Sequence, residues 1–353
     1  MMSNKLIFIG SYAKGTIAHG GELAKNQQFV NRFGEVYDKF YPVDTNDWKR
    51  RPWLPLLIIW HLLVHGRNTR VVISCQNMAY PLIVFLYYFR LKKHVIYWVI
   101  GSEIVRRIKA DENNHVSFKK KYFHYLDKII VESSMMERQL TDEGLRNVVT
   151  VPNFKKIFHV KPIEKSKSRV VRFVFLSRIS PEKGCNYILN CVERLNKAGY
   201  KDMFRVTFYG KVEEGYEAFN SRVKSLKNTE YKGLLDLTNK KGYEVMADND
   251  VFLFPTFFPN EGFPGALIDA MIAGLPVIAS DWNYNKELVV EGKTGVVIPA
   301  HDEERLYEEM LAFIEGKHDI AKMREACMNE ALKYDVDEVL SIDNLVNLGV
   351  MTK

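Results

Sequence analysis

Two cations and two carboxylates in the second half of the chain are spaced to suit a phosphorylated, hydroxyl-rich ligand. Arg178 and Lys183 lie in VFLSRISPEKGCNYIL, where an apolar run ends at Ser177 and Ser180-Pro181-Glu182 reads as a helix start. Just past a strand end, an arginine fork and a lysine point charge would together hold a diphosphate. An ordinary surface charge pair fits the same R-x-x-x-x-K spacing. Glu261 and Asp269 lie in FPTFFPNEGFPGALIDAMIAGLPVIAS. A strand is predicted to end at Pro255 and a helix to begin at Pro264 or Gly265. The N–H groups of Gly265, Ala266 and Leu267 would then form an anion site at the helix N-terminus. Asp269 falls one to two turns into that helix, on the same side as Glu261 but out of contact with it. Ionised carboxylates there would accept hydrogen bonds from sugar or ribose hydroxyls. Helix capping by Glu261 and a partly buried structural acid at Asp269 fit the same positions.

Such residues need strand ends to carry them, and the chain supplies strands in alternation with helices. LIFIGSY is a short apolar run, and Gly20-Gly21 precede a helical pattern of Leu23, Phe29, Val30 and Phe33. Further strands are predicted at 70–74, 95–100 and 128–132, with helices at about 52–66 and 80–91 between them. VTVPNF leads into the lysine-rich KKIFHVKPIEKSKSR, after which the alternation restarts at 170 and continues with strands at 204–209, 250–254, 276–279 and 295–298. This rhythm predicts an α/β protein with parallel sheets covered on both faces. Two Rossmann-like domains are expected to face each other across a cleft, spanning 1–155 and 168–335. A C-terminal helix at 336–353 is expected to pack back on the first domain.

VPNF, FLSRISPEKG, FYGK, FPNEGFPGALIDAMIAGLPVIASD and EGKTGVVIPAHD, in that order, resemble retaining glycosyltransferase family 4, the glycosyl transferases group 1 with the two-Rossmann GT-B architecture. The resemblance covers 149–302 closely and 1–148 loosely. It implies that Arg178 and Lys183 bind the donor diphosphate. Glu261 matches the first acid of an E-x7-E motif, near the transferred sugar. Asp269 matches the second, a ribose ligand, and is one methylene shorter than the usual Glu. Gly20 and Gly21 match a loop that approaches the donor phosphates, where glycine avoids a steric cost. Gly210, Gly262 and Phe263 fall in the same motifs and are expected to line the donor site. Many relatives carry a histidine near a middle strand of the first domain. Here that place holds Ile100-Gly101-Ser102-Glu103, so Glu103 is a candidate for its role, or a partner for Arg106 or Arg107 at helical spacing.

The implied reaction transfers a sugar from a nucleotide-sugar, UDP by family frequency, to a glycan or lipid-linked saccharide, as in surface polysaccharide assembly. No cofactor is expected. No D-x-D motif stands in a metal-holding strand-end context, so cations would take the metal's place. A non-catalytic subunit with the same fold is the alternative. Residues 1–150 hold 22 Lys+Arg against 13 Asp+Glu, whereas the remainder holds 28 against 30. The basic half suits an anionic surface. Nucleic acid is not the expected partner, because no recognition motif or stacking platform accompanies the charge. An anionic membrane is the expected one, through Lys49–Arg51, Arg90–Lys93, Arg106–Lys109 and Lys119–Lys121. Trp53–Val64 is too short to cross a bilayer. It reads either as a buried helix or as one lying on a membrane surface. Four scattered cysteines and the absence of a leader-like start point to the cytoplasm, or to the cytoplasmic face of an inner membrane.

Overall fold

The computed structural model describes residues 4–12, 21–110, 118–160 and 170–352. The chain forms two compact units, one of residues 1–156 with 335–353 and one of residues 157–334. In the first unit, β1 (Lys5–Gly10), β2 (Lys39–Asp44), β3 (Arg70–Ser74), β4 (Val95–Trp98), β5 (Lys128–Val131) and β6 (Val148–Thr150) form one sheet in the order β2-β1-β3-β4-β5-β6. In the second, β7 (Val171–Leu176), β8 (Phe204–Tyr209), β9 (Thr229–Tyr231), β10 (Val251–Phe254), β11 (Val277–Asp281) and β12 (Gly295–Pro299) are ordered β12-β11-β10-β7-β8-β9. Every pairing is parallel. Central strands such as VFLF in β10 are buried at every residue, as a sheet covered on both faces requires. The two Rossmann-like folds expected from the sequence are therefore present.

Helices α1 (Gly21–Val36), α2 (Leu54–Val64), α3 (Ala79–Phe89) and α4 (Glu103–Lys109) cross over between the strands of the first sheet. Leu6 and Phe8, alternate residues of β1, meet Phe29 and Phe33 of α1 in one apolar cluster. The C-terminal segment completes that cluster with Val336, Val339, Leu340, Leu345, Val350 and Met351. It is built as two short helices, Val336–Val339 and Ile342–Asn347, where one had been expected. Its backbone is held too, since the Tyr37 hydroxyl donates to the Val350 carbonyl at 2.8 Å. Leu345 is fully buried in this cluster. Leu345→Ala is expected to lower stability by about 2–5 kcal/mol, which urea unfolding read by circular dichroism would measure.

The helix at 54–64 departs from the buried-helix reading. Only Leu54, Ile58 and Leu62 are buried on it, whereas Trp53, Leu56, Trp60, Leu63 and Val64 are exposed.

Candidate active site

The second sheet reverses its strand order between β7 and β10, with β8 and β9 on one side and β11 and β12 on the other. Open parallel sheets bind ligands outside the carboxyl ends of their strands at such a reversal. Both charged segments emerge there, one after β7 and the other after β10.

Beyond β7 the chain makes a single tight turn, Pro181–Lys183, and then enters the helix Cys185–Lys197 at Gly184. Gly184 has φ +79°, and a Cβ there would lie 2.3 Å from the Pro255 carbonyl oxygen. Glycine is the residue that permits this contact, which presses the turn against the start of the loop after β10. The Phe257 N–H donates to the Glu182 carbonyl at 2.8 Å and ties the same two segments. Residues 78 positions apart are thereby brought within reach of each other.

Lys183 is 6% exposed, and its ammonium is paired with the Glu261 carboxylate. The Thr256 hydroxyl donates to the same carboxylate oxygen at 3.1 Å. An ammonium so buried requires a partner of this kind, because desolvation otherwise outweighs its other contacts. Arg178 is half-exposed and pairs with Glu213 at 3.3 Å. The ring of Phe258 serves both cations, with the Lys183 nitrogen 4.8 Å and the Arg178 guanidinium 5.1 Å from its centroid. Two bonds anchor the loop from β11's side: Trp282 Nε1–H to the Phe258 carbonyl at 2.7 Å and the Asn283 amide to the Glu261 carbonyl at 2.8 Å. Arg178, Lys183 and Glu261 therefore come together as the spacing suggested.

Thr256, Phe258 and Glu213 were not among the residues singled out. The sequence held a faint signal for Thr256, a lone hydroxyl among the aromatics of FPTFF. Phe258 reads as one more core residue, and Glu213 lies in an unremarkable acidic pair.

Other expected positions fall differently. Asp269 sits on the helix Gly265–Ile272, is 4% exposed, and accepts a 2.6 Å hydrogen bond from the buried Tyr243 hydroxyl. Burial first, and then the Asp269 charge, push the Tyr243 phenol well above its ordinary pKa, so it remains a donor. Tyr243→Phe would leave Asp269 without this bond. A loss of about 1–3 kcal/mol is expected, to be read by thermal unfolding in the absence of ligand.

The Leu267 N–H is taken by the Pro264 carbonyl at 3.1 Å and its side chain is fully buried. Gly265 and Ala266, both partly exposed, are the residues at the open end of the helix. Phe263 is buried against the Tyr334 ring, centroids 6.0 Å apart, and packs the loop from within. Gly262 is half-buried between it and Glu261. Gly210 has φ +141°, and a Cβ there would lie 1.7 Å from the Ser177 carbonyl oxygen. Its place is structural: it lets the end of β8 close on the residue before Arg178.

In the first unit, Gly20 lies outside the described residues. A Cβ at Gly21 would meet nothing within 4 Å, so packing within the described residues gives no steric reason for glycine there. Glu103 opens α4 and pairs with Arg107 at 2.7 Å and with Arg106 at 3.8 Å, the helical partners that the spacing allowed. Burial pushes the Cys185 thiol, two residues after Lys183, up to about 12, which makes it a poor nucleophile at neutral pH.

Residues 171–316 match the family model described as glycosyl transferases group 1. The second unit is a glycosyl transferases group 1 domain. The chain is 25% identical over 211 residues to an uncharacterized 41.2 kDa protein in the cps region of Klebsiella pneumoniae, covering 55% of this chain and 56% of that one. It is 26% identical over 162 residues to the putative colanic acid biosynthesis glycosyltransferase WcaL of Salmonella typhimurium strain LT2, covering 44% and 39%. These matches thus span about half the length, or less, of those curated relatives. Among solved structures, Anabaena Alr3699/HepE in complex with UDP superposes with a TM-score of 0.67 at 14% identity, over 98% of this chain and 99% of that one. That likeness concerns the fold. The group 1 domain includes the β7 turn, the β10 loop and the helix Gly265–Ile272, and with them Arg178, Lys183 and Glu261.

Proposed function

We propose that the chain is a retaining, metal-independent glycosyltransferase that moves a sugar from a UDP-sugar to a glycan or lipid-linked saccharide in surface polysaccharide assembly. The observation that carries this reading is the convergence of Arg178, Lys183 and Glu261 at the strand reversal of the group 1 domain. The donor diphosphate takes Arg178, Lys183 and the open N–H groups of Gly265 and Ala266, which offset the charge that builds on it as the bond to the sugar breaks. Once the diphosphate occupies Lys183, the Glu261 carboxylate is released to accept a hydroxyl of the transferred sugar. The acceptor hydroxyl attacks the anomeric carbon on the face the diphosphate leaves. Its proton passes to the departing phosphate oxygen, which preserves the configuration. Asp269, held inside by Tyr243, positions the helix; the ribose role implied for it by resemblance passes to other groups.

The choice of UDP is supported by family frequency and by the UDP complex of the Anabaena protein. The assignment to polysaccharide assembly is supported by the colanic acid and cps-region relatives. The test is a panel of UDP- and GDP-sugars scored by thermal shift, followed by nucleotide release with lipid-linked saccharides in the presence of EDTA. Expected are a shift with UDP and UDP release unaffected by EDTA. No shift with any nucleotide defeats the reading. A shift without release from any donor favours the non-catalytic subunit.

A further inference from the structure

Helix α2 combines two properties that rarely coincide in a surface helix. From Pro52 to Val64 no side chain is charged and only His61 is polar. Surface helices of globular proteins carry polar residues on their outer face, and helices apolar all round are buried. Yet α2 buries a single narrow stripe, while Trp53, Leu56, Trp60, Leu63 and Val64 are 52–70% exposed. The other strongly exposed apolar pair of this unit is Tyr88 and Phe89, at the end of α3.

Those two helix ends are adjacent. The Lys92 ammonium donates to the carbonyls of His65 and Gly66, the latter at 3.0 Å, and the Lys93 N–H donates to the Arg67 carbonyl at 3.2 Å. The apolar surfaces are therefore parts of one face of the unit. Its charge is one-signed: residues 48–102 contain eight Lys+Arg and no Asp or Glu. Lys49, Arg50 and Arg67, at the two ends of α2, are exposed and make no ion pair among the described residues.

We infer that this face docks on an anionic lipid bilayer, with α2 lying in the plane of the surface. Among the described residues no helix is long and apolar enough to cross a membrane, and the 11 residues of α2 span only about 16 Å at 1.5 Å per residue. In-plane insertion remains: the outward tryptophans and leucines enter the boundary between headgroups and acyl chains, and the flanking cations meet anionic headgroups. Charge complementarity selects the bilayer over a second copy of this chain, because two such faces would bring like charges together. The inference stands apart from the donor-site reading and does not depend on it.

The test is sedimentation of the full chain with vesicles of phosphatidylcholine alone and of phosphatidylcholine with phosphatidylglycerol. Binding is expected to the mixed vesicles and to be far weaker to the zwitterionic ones. Trp60→Ser with Leu63→Ser, both outward-facing, is expected to cut partitioning on the order of 100-fold while leaving the melting temperature nearly unchanged. Lys49→Gln and Arg67→Gln are each expected to cut it roughly five-fold. Undiminished partitioning of the folded double variant overturns the proposal, as does equal binding to both vesicle types. Failure of the unaltered chain to bind either vesicle also overturns it. So does a chain that ignores vesicles and dimerises in solution through Trp60 and Leu63.

Discussion

Lys183→Met is expected to abolish the thermal shift given by nucleotide and to lower turnover by a factor on the order of 10²–10³. The ammonium it removes is one of the two cations proposed to hold the diphosphate. It is also the counterion of Glu261, and the two side chains are only 7% and 12% exposed. The variant therefore carries a second cost, about 3–5 kcal/mol of stability, from leaving a largely buried carboxylate unpaired. A double variant separates the two effects. Lys183→Met with Glu261→Gln removes the orphaned charge, so the melting temperature of the ligand-free protein should recover most of its loss. Nucleotide binding should not return with it. A Lys183→Met protein that keeps the full nucleotide shift would remove Lys183 from the site.

The second large effect is expected in the first unit. Lys25 of α1 and Glu132, just past β5, form an ion pair at 2.6 Å with both side chains 3% exposed. The Lys25 ammonium also lies 5.8 Å and 5.4 Å from the ring centroids of Phe29 and Phe154. Burial lowers the Lys25 pKa from its ordinary value of 10.5, and Glu132 opposes that shift without cancelling it. Glu132→Ala should cost about 3–5 kcal/mol by stranding the ammonium. The pH dependence has a definite sign. Between the lowered folded pKa and 10.5 the unfolded chain binds more protons than the native one, so stability rises with pH there. The deficit of Glu132→Ala should accordingly be greatest near neutral pH and shrink toward pH 10, where a neutral amine needs no counterion. Urea unfolding at pH 7 and pH 9.5 checks it; an equal deficit at both would contradict the account.

Much of this molecule is legible in its sequence, and the parts that are not have physical reasons. Arg178, Lys183 and Glu261 were found because strand ends, prolines and glycines punctuate their segments, and backbone punctuation is local. Phe258 escaped because an aromatic held between two cations has the same one-letter signature as a core aromatic. Asp269 was expected to reach outward because Asp is uncommon within helices. The decisive fact, a buried phenol 26 residues earlier in the chain, is a tertiary contact that periodicity cannot report. The same holds for α2, where a uniformly apolar pattern cannot say whether anything covers it. The return of the C-terminus was anticipated from the fold, but its division into two helices depends on how Val336 through Met351 fill the cluster around Phe29 and Phe33.

That return has a topological consequence. Lys155 bridges to Asp335, and the Val336 N–H donates to the Lys155 carbonyl at 2.9 Å. The polypeptide thus leaves the first unit and re-enters it at neighbouring points. Topologically the group 1 domain is a cassette set into a discontinuous host. Splicing Lys156 to Asp335 through a few glycines would excise the cassette and leave the host's apolar cluster with all its residues, whereas simple truncation after Lys156 would strip it of Leu340 and Leu345.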